Sequence, residues 1–162
     1  MVQANRLSAK EEHEAAEKLR NQAFETAPSI AGIVNDEKFS WIADADSRLG
    51  PILELIIEGN YYWTSFNNIK LLKIEPPEDL RDVVWLPASI IWKNKGQTVG
   101  FIPTRYESSE NSDDSNILLS RKTEWIQKTD DTYIGLGQRM ITTDIAEYPL
   151  MEIKKIIFEH PE

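Results

Sequence analysis

Apolar residues recur at two different spacings along this chain, and the change between them divides it. In the first segment Ala16, Leu19 and Ala23 fall on one helical face, with Phe24 beside them. Ser8 followed by Glu11 has the form of a capping box, and Pro28 ends the segment. The spacing predicts a leading helix over Ser8 to Thr26, within a segment 1–27. Its stripe is too narrow to form a core alone, so the helix must dock on something else.

From Lys38 onward the period shortens to two. Phe39, Trp41 and Ala43 alternate with other residues as a strand does. Ile52 to Ile57 is an apolar run that stops at Glu58-Gly59-Asn60, and Tyr61 to Thr64 reads as its hairpin partner. Ile69 to Ile74 makes another short strand before Pro76-Pro77. Val83 to Trp92 is apolar and β-branched, with Pro87 implying an edge, a bulge or a break. Asn94-Lys95-Gly96-Gln97 is a turn, across which Thr98 to Ile102 pairs back.

Glu107 to Asn116 contains no apolar residue and reads as an exposed, mobile loop. Beyond it lie the segments Ile117 to Leu119, Thr123 to Ile126, Met140 to Thr143 and Ile153 to Phe158. The first is a strand or a short helix, and the last is equally open between the two. Short strands punctuated by turns, with too little chain between them for crossover helices, predict mostly antiparallel pairing. With the leading helix, the expected class is α+β: an N-terminal helix followed by a curled, mostly antiparallel sheet or small barrel over residues 28–162.

Composition narrows the chemistry. The chain has 162 residues, no Cys, two His and a formal net charge of −9. Without Cys there are no disulfides, no thiolate catalysis and no sulfur-bound zinc. With His13 in the leading helix and His160 near the end, neither a His-based metal site nor a Ser-His-acid triad is expected. The acidic balance disfavours phosphate backbones and anionic membrane surfaces as partners, and leaves a protein or peptide partner. No apolar run approaches the ~18 residues of a membrane-spanning helix. No cofactor is expected.

Asp44-Ala45-Asp46-Ser47-Arg48 opens like a calcium loop. Arg48, Leu49 and Leu55 then occupy the places where an EF-hand needs Asp or Asn, Gly and Glu. The carboxylates are instead expected to pair with Arg48 or cap amides. Gly135-Leu136-Gly137 lacks the third glycine and the strand–helix setting of a dinucleotide fingerprint, and reads as a tight turn. Asp44, Asp46, Arg48, Asp82, Arg105, Glu124 and Arg139 are expected to form structural ion pairs, with a carboxylate on Arg105, because the Arg residues lie in or beside apolar segments. Trp63, Phe66 and Trp92 are named as protein-contact residues, since aromatics dominate interface hot spots.

Four ordered stretches carry a resemblance. They are Phe39-Ser-Trp41 through Asp44, Asp46, Arg48 and Gly50-Pro51 to Glu54; Asp79-Leu-Arg81-Asp82-Val-Val-Trp85; Ile102-Pro103-Thr-Arg105-Tyr106; and Thr123-Glu124-Trp125 followed by Gly135-Leu-Gly137-Gln-Arg139. Together they resemble the ImpE family, also called TagJ or SciE-type proteins, over about Arg20 to Leu150. The resemblance implies a cytoplasmic, non-enzymatic accessory role in bacterial type VI secretion. It implies binding to a helix near the N-terminus of the small sheath subunit, TssB, and through it a link to the sheath-recycling ATPase, ClpV. The family's usual helical N-terminal domain would be represented here only by the leading helix. Two other classes of function stand beside this one: a carboxylate-dependent hydrolase working through a pair of acids, and a structural domain that mediates self-association.

Overall fold

The leading segment makes two helices rather than one. In the computed structural model, which describes residues 1–160, α1 spans Val2–Ser8 and α2 spans His13–Thr26. The last two positions of the 28–162 segment lie outside the described residues. Ser8 closes the first helix, Glu11 takes a left-handed φ of 63°, and no side chain caps α2. The capping box therefore does not form. Ala27, forced extended by the proline that follows, ends α2 as expected.

The rest of the chain runs through β1 (Gly32–Val34), β2 (Glu37–Phe39), β3 (Ile42–Asp44), β4 (Ile52–Ile57), β5 (Asn60–Ser65), β6 (Ile69–Ile74), β7 (Trp85–Trp92), β8 (Gln97–Pro103), α3 (Ser115–Leu118), β9 (Thr123–Thr129), β10 (Thr132–Gly137), β11 (Met140–Thr143), β12 (Glu147–Pro149) and β13 (Lys155–Phe158). Eight strands form one sheet in the order β2-β1-β13-β6-β7-β8-β4-β5. A three-stranded sheet, β12-β11-β3, and the β9–β10 hairpin complete the set. Every pairing is antiparallel.

This corrects the α+β expectation. The fold is mostly antiparallel β with three short helices among the described residues, and no barrel closes, because β2 and β5 end the large sheet unpaired on their outer sides. The reason lies in what the helices bury. The apolar core starts at Ile30 and includes no residue of α1 or α2. Ala4, Ala16 and Arg20 are the buried residues of the two leading helices, too little surface for a helical layer.

The core lies on one face of the large sheet, where side chains two apart point the same way. Leu53 and Leu55, Leu72 and Ile74, Leu86, Ala88 and Ile90, and Ile156 and Phe158 all obey that period. Phe158 stacks on Phe66 at 6.0 Å and meets Phe39 edge-on at 6.4 Å. Ile42 and Ile141 bring the three-stranded sheet onto the same core.

Turn chemistry sets the register. Glu58 and Gly59 both have positive φ, 51° and 76°, as the two-residue β4–β5 turn requires. Pro87 does not mark an edge, because β7 lies inside the large sheet. Pro87 is tolerated because it faces the end of β6: its carbonyl accepts from Glu75, and no further ladder bond needs the missing N–H. Beyond Phe39 the expected alternation also breaks. Ser40 and Trp41 bend the chain, so Ile42 and Asp44 turn inward and Trp41 outward. Nor is residues 107–116 a free loop: Ser109 is fully buried, and its hydroxyl donates to Tyr106 O at 2.6 Å and accepts from Gly137 N at 2.8 Å.

Leu55 is wholly buried at the centre of this core. Leu55→Ala should cost about 2–5 kcal/mol, read as a lower denaturant midpoint at unchanged m-value.

Candidate functional site

The turn between β3 and β4 is built by its own carboxylates. Asp44 Oδ1 accepts from Asp46 N at 2.9 Å, and Asp46 Oδ1 accepts from Arg48 N at 2.8 Å. Each closes a local Asx turn. Both carboxylates also take partners from other elements. Asp46, fully buried, takes the Arg48 guanidinium at 2.6 Å and Gly135 N at 2.8 Å. Asp44 takes the Tyr106 hydroxyl at 2.8 Å and lies 3.5 Å from the Arg139 guanidinium. Arg139 also pairs with Glu54 of β4 and lies 5.4 Å over the Tyr106 ring.

The cluster thus holds Asp44, Asp46, Arg48 and Arg139 together with Glu54 and Tyr106. The other three predicted members lie elsewhere. Asp82 anchors its own turn, accepting from Glu78 N at 3.1 Å and from Arg81 at 3.0 Å. Arg105 donates to the Leu118 carbonyl at 2.6 Å, and none of the ion pairs among the described residues includes it. Its partner is a carbonyl where a carboxylate was expected. Glu124 is exposed on β9 and pairs with Lys122. Glu54 was legible only as a charged residue inside the apolar run Ile52–Ile57.

Two glycines of the Gly-Leu-Gly stretch serve this site in different ways. A Cβ on Gly135 would overlap the Tyr106 ring, so that glycine admits the aromatic. Gly137 has φ of 90° and lies against the Lys122 carbonyl.

Three carboxylates, Asp44, Asp46 and Glu54, face two guanidiniums, Arg48 and Arg139, with little water. Burial pushes Asp44 up to about 6, against the pull of Arg139. Burial likewise pushes Glu54 up to about 7. The Tyr106 phenol is raised too, chiefly by burial, and remains a donor at neutral pH. Asp44 borders one surface groove, whereas Glu54 borders a separate cleft beside Trp85 and Arg105. The two raised acids therefore share no cavity.

The aromatics named as contacts divide as well. Phe66 is 2% exposed and belongs to the core, so it is closed to a partner. Trp92 is half-buried against the core and donates to Thr98 Oγ1 at 2.8 Å. Trp63 is half-buried on the edge strand β5 and donates to Glu54 at 3.3 Å. The open apolar surface is elsewhere. A groove of about 430 Å³ runs between the end of α2 and β3, walled by Phe24, Ala27, Pro28, Trp41, Ile42 and Pro51. Trp41 and Phe24 are 41% and 38% exposed. Asp144 fixes the Trp41 wall by accepting from Ser40 N at 2.7 Å. Gly50, with φ of 54°, leaves room for the Phe24 ring. No helix among the described residues is long and apolar enough to cross a membrane.

Arg139→Ala should cost roughly 3–5 kcal/mol, because it strands Asp44 and Glu54 inside the protein. Arg105→Ala removes one bond to a carbonyl and should cost about 1 kcal/mol; urea midpoints separate the two. The folded state binds protons on Asp44 and Glu54 more tightly than the unfolded chain does. Stability should therefore fall as pH rises from about 4 to about 7, by on the order of 6 kcal/mol, and level off above. Glu54→Gln should remove roughly half of that slope in melting curves taken across the range, leaving the part due to Asp44.

The family model described as ImpE protein matches residues 36–157. A Pseudomonas aeruginosa protein, the type VI secretion system accessory component TagJ, is 43% identical over 159 residues, which is 98% of this chain and 55% of that protein. The crystal structure of protein VPA1032 from Vibrio parahaemolyticus superposes with a TM-score of 0.91 at 26% identity, covering 99% of this chain and 60% of that one. The chain thus spans little more than half the length of these relatives.

Proposed function

Because this chain belongs to the ImpE family, we propose that it acts as an accessory component of a type VI secretion system and works by binding protein rather than by catalysis. The observation that carries the binding mode is the groove between α2 and β3, with Phe24 and Trp41 standing open on its two sides. Partly exposed aromatics flanking an apolar trough suit the apolar face of an amphipathic helix. The partner proposed is the helix near the N-terminus of the small sheath subunit, TssB. A link to the ATPase ClpV would then run through that subunit. The groove wall carries no Lys or Arg, and the chain is strongly acidic, so a helix with basic flanks fits it best.

Catalysis by a carboxylate pair needs two acids converging on one accessible space. Asp44 and Glu54 have raised affinities for protons but open, where they open at all, to different surfaces. Asp44 is only 4% exposed and is held by Tyr106 and Arg139. That arrangement counts against a hydrolase built on Asp44 and Glu54.

Calorimetric titration with a peptide of the small sheath subunit's N-terminal helix should give saturable binding. Trp41→Ala should weaken it by about 30-fold or more, the range of an aromatic hot spot, at an unchanged melting temperature. Binding that ignores Trp41→Ala and Phe24→Ala places the helix elsewhere on the surface. No heat at all assigns the contact to the part of the longer relatives that this chain does not match.

A further inference from the structure

A second cavity, of about 340 Å³, lies on the other side of α2, where the α1–α2 connection meets the β9–β10 hairpin. Its deepest charged group is Arg20, which is 3% exposed. Arg20 differs from Arg48, Arg81 and Arg139, each of which has a carboxylate within ion-pair distance. No ion pair among the described residues includes Arg20. Its two terminal nitrogens donate instead to hydroxyls, to Thr132 Oγ1 and Ser8 Oγ, each at 3.1 Å. Its Nε is buried with no partner.

An uncompensated guanidinium inside a protein is costly, and an Arg held by hydroxyls has most of its five N–H donors still to place. The hydroxyls of Ser8 and Thr132 accept from Arg20, so each keeps its own proton to donate to something else. Thr129 Oγ1, also on this wall, is buried without a partner. Lys128 stands at the rim and likewise takes part in no ion pair among the described residues. Arg48 lines the wall but is matched by Asp46 behind it. His13 borders the opening, and Glu11 is the one carboxylate that lines it. Burial lowers the Arg20 pKa despite the nearby charges of Asp46 and Glu17, in keeping with a cation short of counter-charge.

We infer that this cavity binds a small tetrahedral oxyanion of the phosphate class, seated between Arg20 and Lys128 and receiving protons from the hydroxyls of Ser8, Thr129 and Thr132. The guanidinium fork and several hydroxyl donors suit an anion with three or four acceptor oxygens. None of its lining residues walls the apolar groove.

The test follows the Arg20 Nε–H resonance during titration with sodium phosphate, sodium acetate and sodium chloride at matched ionic strength. Phosphate should shift it saturably at millimolar concentrations and raise the melting temperature with the logarithm of its concentration. Acetate and chloride should do neither. Lys128→Glu, an exposed change that leaves the fold in place, should weaken phosphate about tenfold; Arg20→Gln should abolish it. A phosphate monoester such as phosphoserine separates two sources of the same chemistry. Competition with phosphate identifies an esterified group as an acceptable ligand, and exclusion restricts the site to the free anion. The inference fails if the Arg20 resonance does not move, if chloride or acetate moves it equally, or if Lys128→Glu binds phosphate as tightly as the parent chain.

Discussion

Arg139 is the joint on which the rest of the molecule depends. It sits 4% exposed just before β11, and it reaches Asp44 at the end of β3 and Glu54 in the middle of β4. Those elements belong to two different sheets, so one guanidinium ties the three-stranded sheet to the eight-stranded one. Tyr106 packs beneath it, donates to Asp44 and accepts from Met140 N at 2.9 Å, and its ring lies on Gly135. The Asp44–Gly50 turn, the 104–107 segment and the β10–β11 junction are thereby held by one set of charge-assisted bonds. Such a network specifies an arrangement more than it stabilises one, since the desolvation of its charges offsets much of their attraction. Because burial disfavours their charged forms, Asp44 and Glu54 take up protons near neutral pH instead of leaving all three carboxylates ionised together.

What the sequence made legible follows from how local each signal is. The β4–β5 and β7–β8 hairpins could be read from their local turn residues, and positive φ is indeed taken up in those turns, by Glu58 and Gly59 in the first and by Lys95 in the second. The pairing of Asp46 with Arg48 could be read because the two are neighbours along the chain. Asp82, Arg105 and Glu124 were grouped with them only by residue type, and the fold sends each to its own local partner. Glu54 joined the cluster through an 85-residue separation that no local pattern encodes. The class was misjudged because a helical stripe says that a helix docks, not how much it buries, and of α2 only Ala16 and Arg20 are buried.

Arg20 had a signal that went unread. It stands four residues after Ala16 on the face that also carries Ala23, so a charged residue interrupts the docking stripe. On a helix too narrow to form a core, that position points at the body of the protein. A long cation placed there must find acceptors or remain unpaired, and the fold provides two hydroxyls, Ser8 and Thr132.

The groove and the cavity are lined by different residues but share two elements. Helix α2 contributes Phe24 to one and Arg20 to the other, and the β3–β4 turn contributes Ser47 to the groove and Arg48 to the cavity. The placement of α2 against the turn is therefore what shapes both. Three contacts fix it: the Phe24 ring over Gly50, Asn5 Nδ2 of the preceding helix donating to Arg48 O at 3.0 Å, and Arg20 on the hydroxyls of Ser8 and Thr132. The turn, in contrast, is bound to the sheets by Asp44, Asp46 and Arg139. One wall of the groove is thus rigidly joined to the protein's core, and the other rests on a helix held by few contacts. On the reading proposed above, a helix entering the groove would be accommodated by small movements of α2 without disturbing the buried charge network behind the turn.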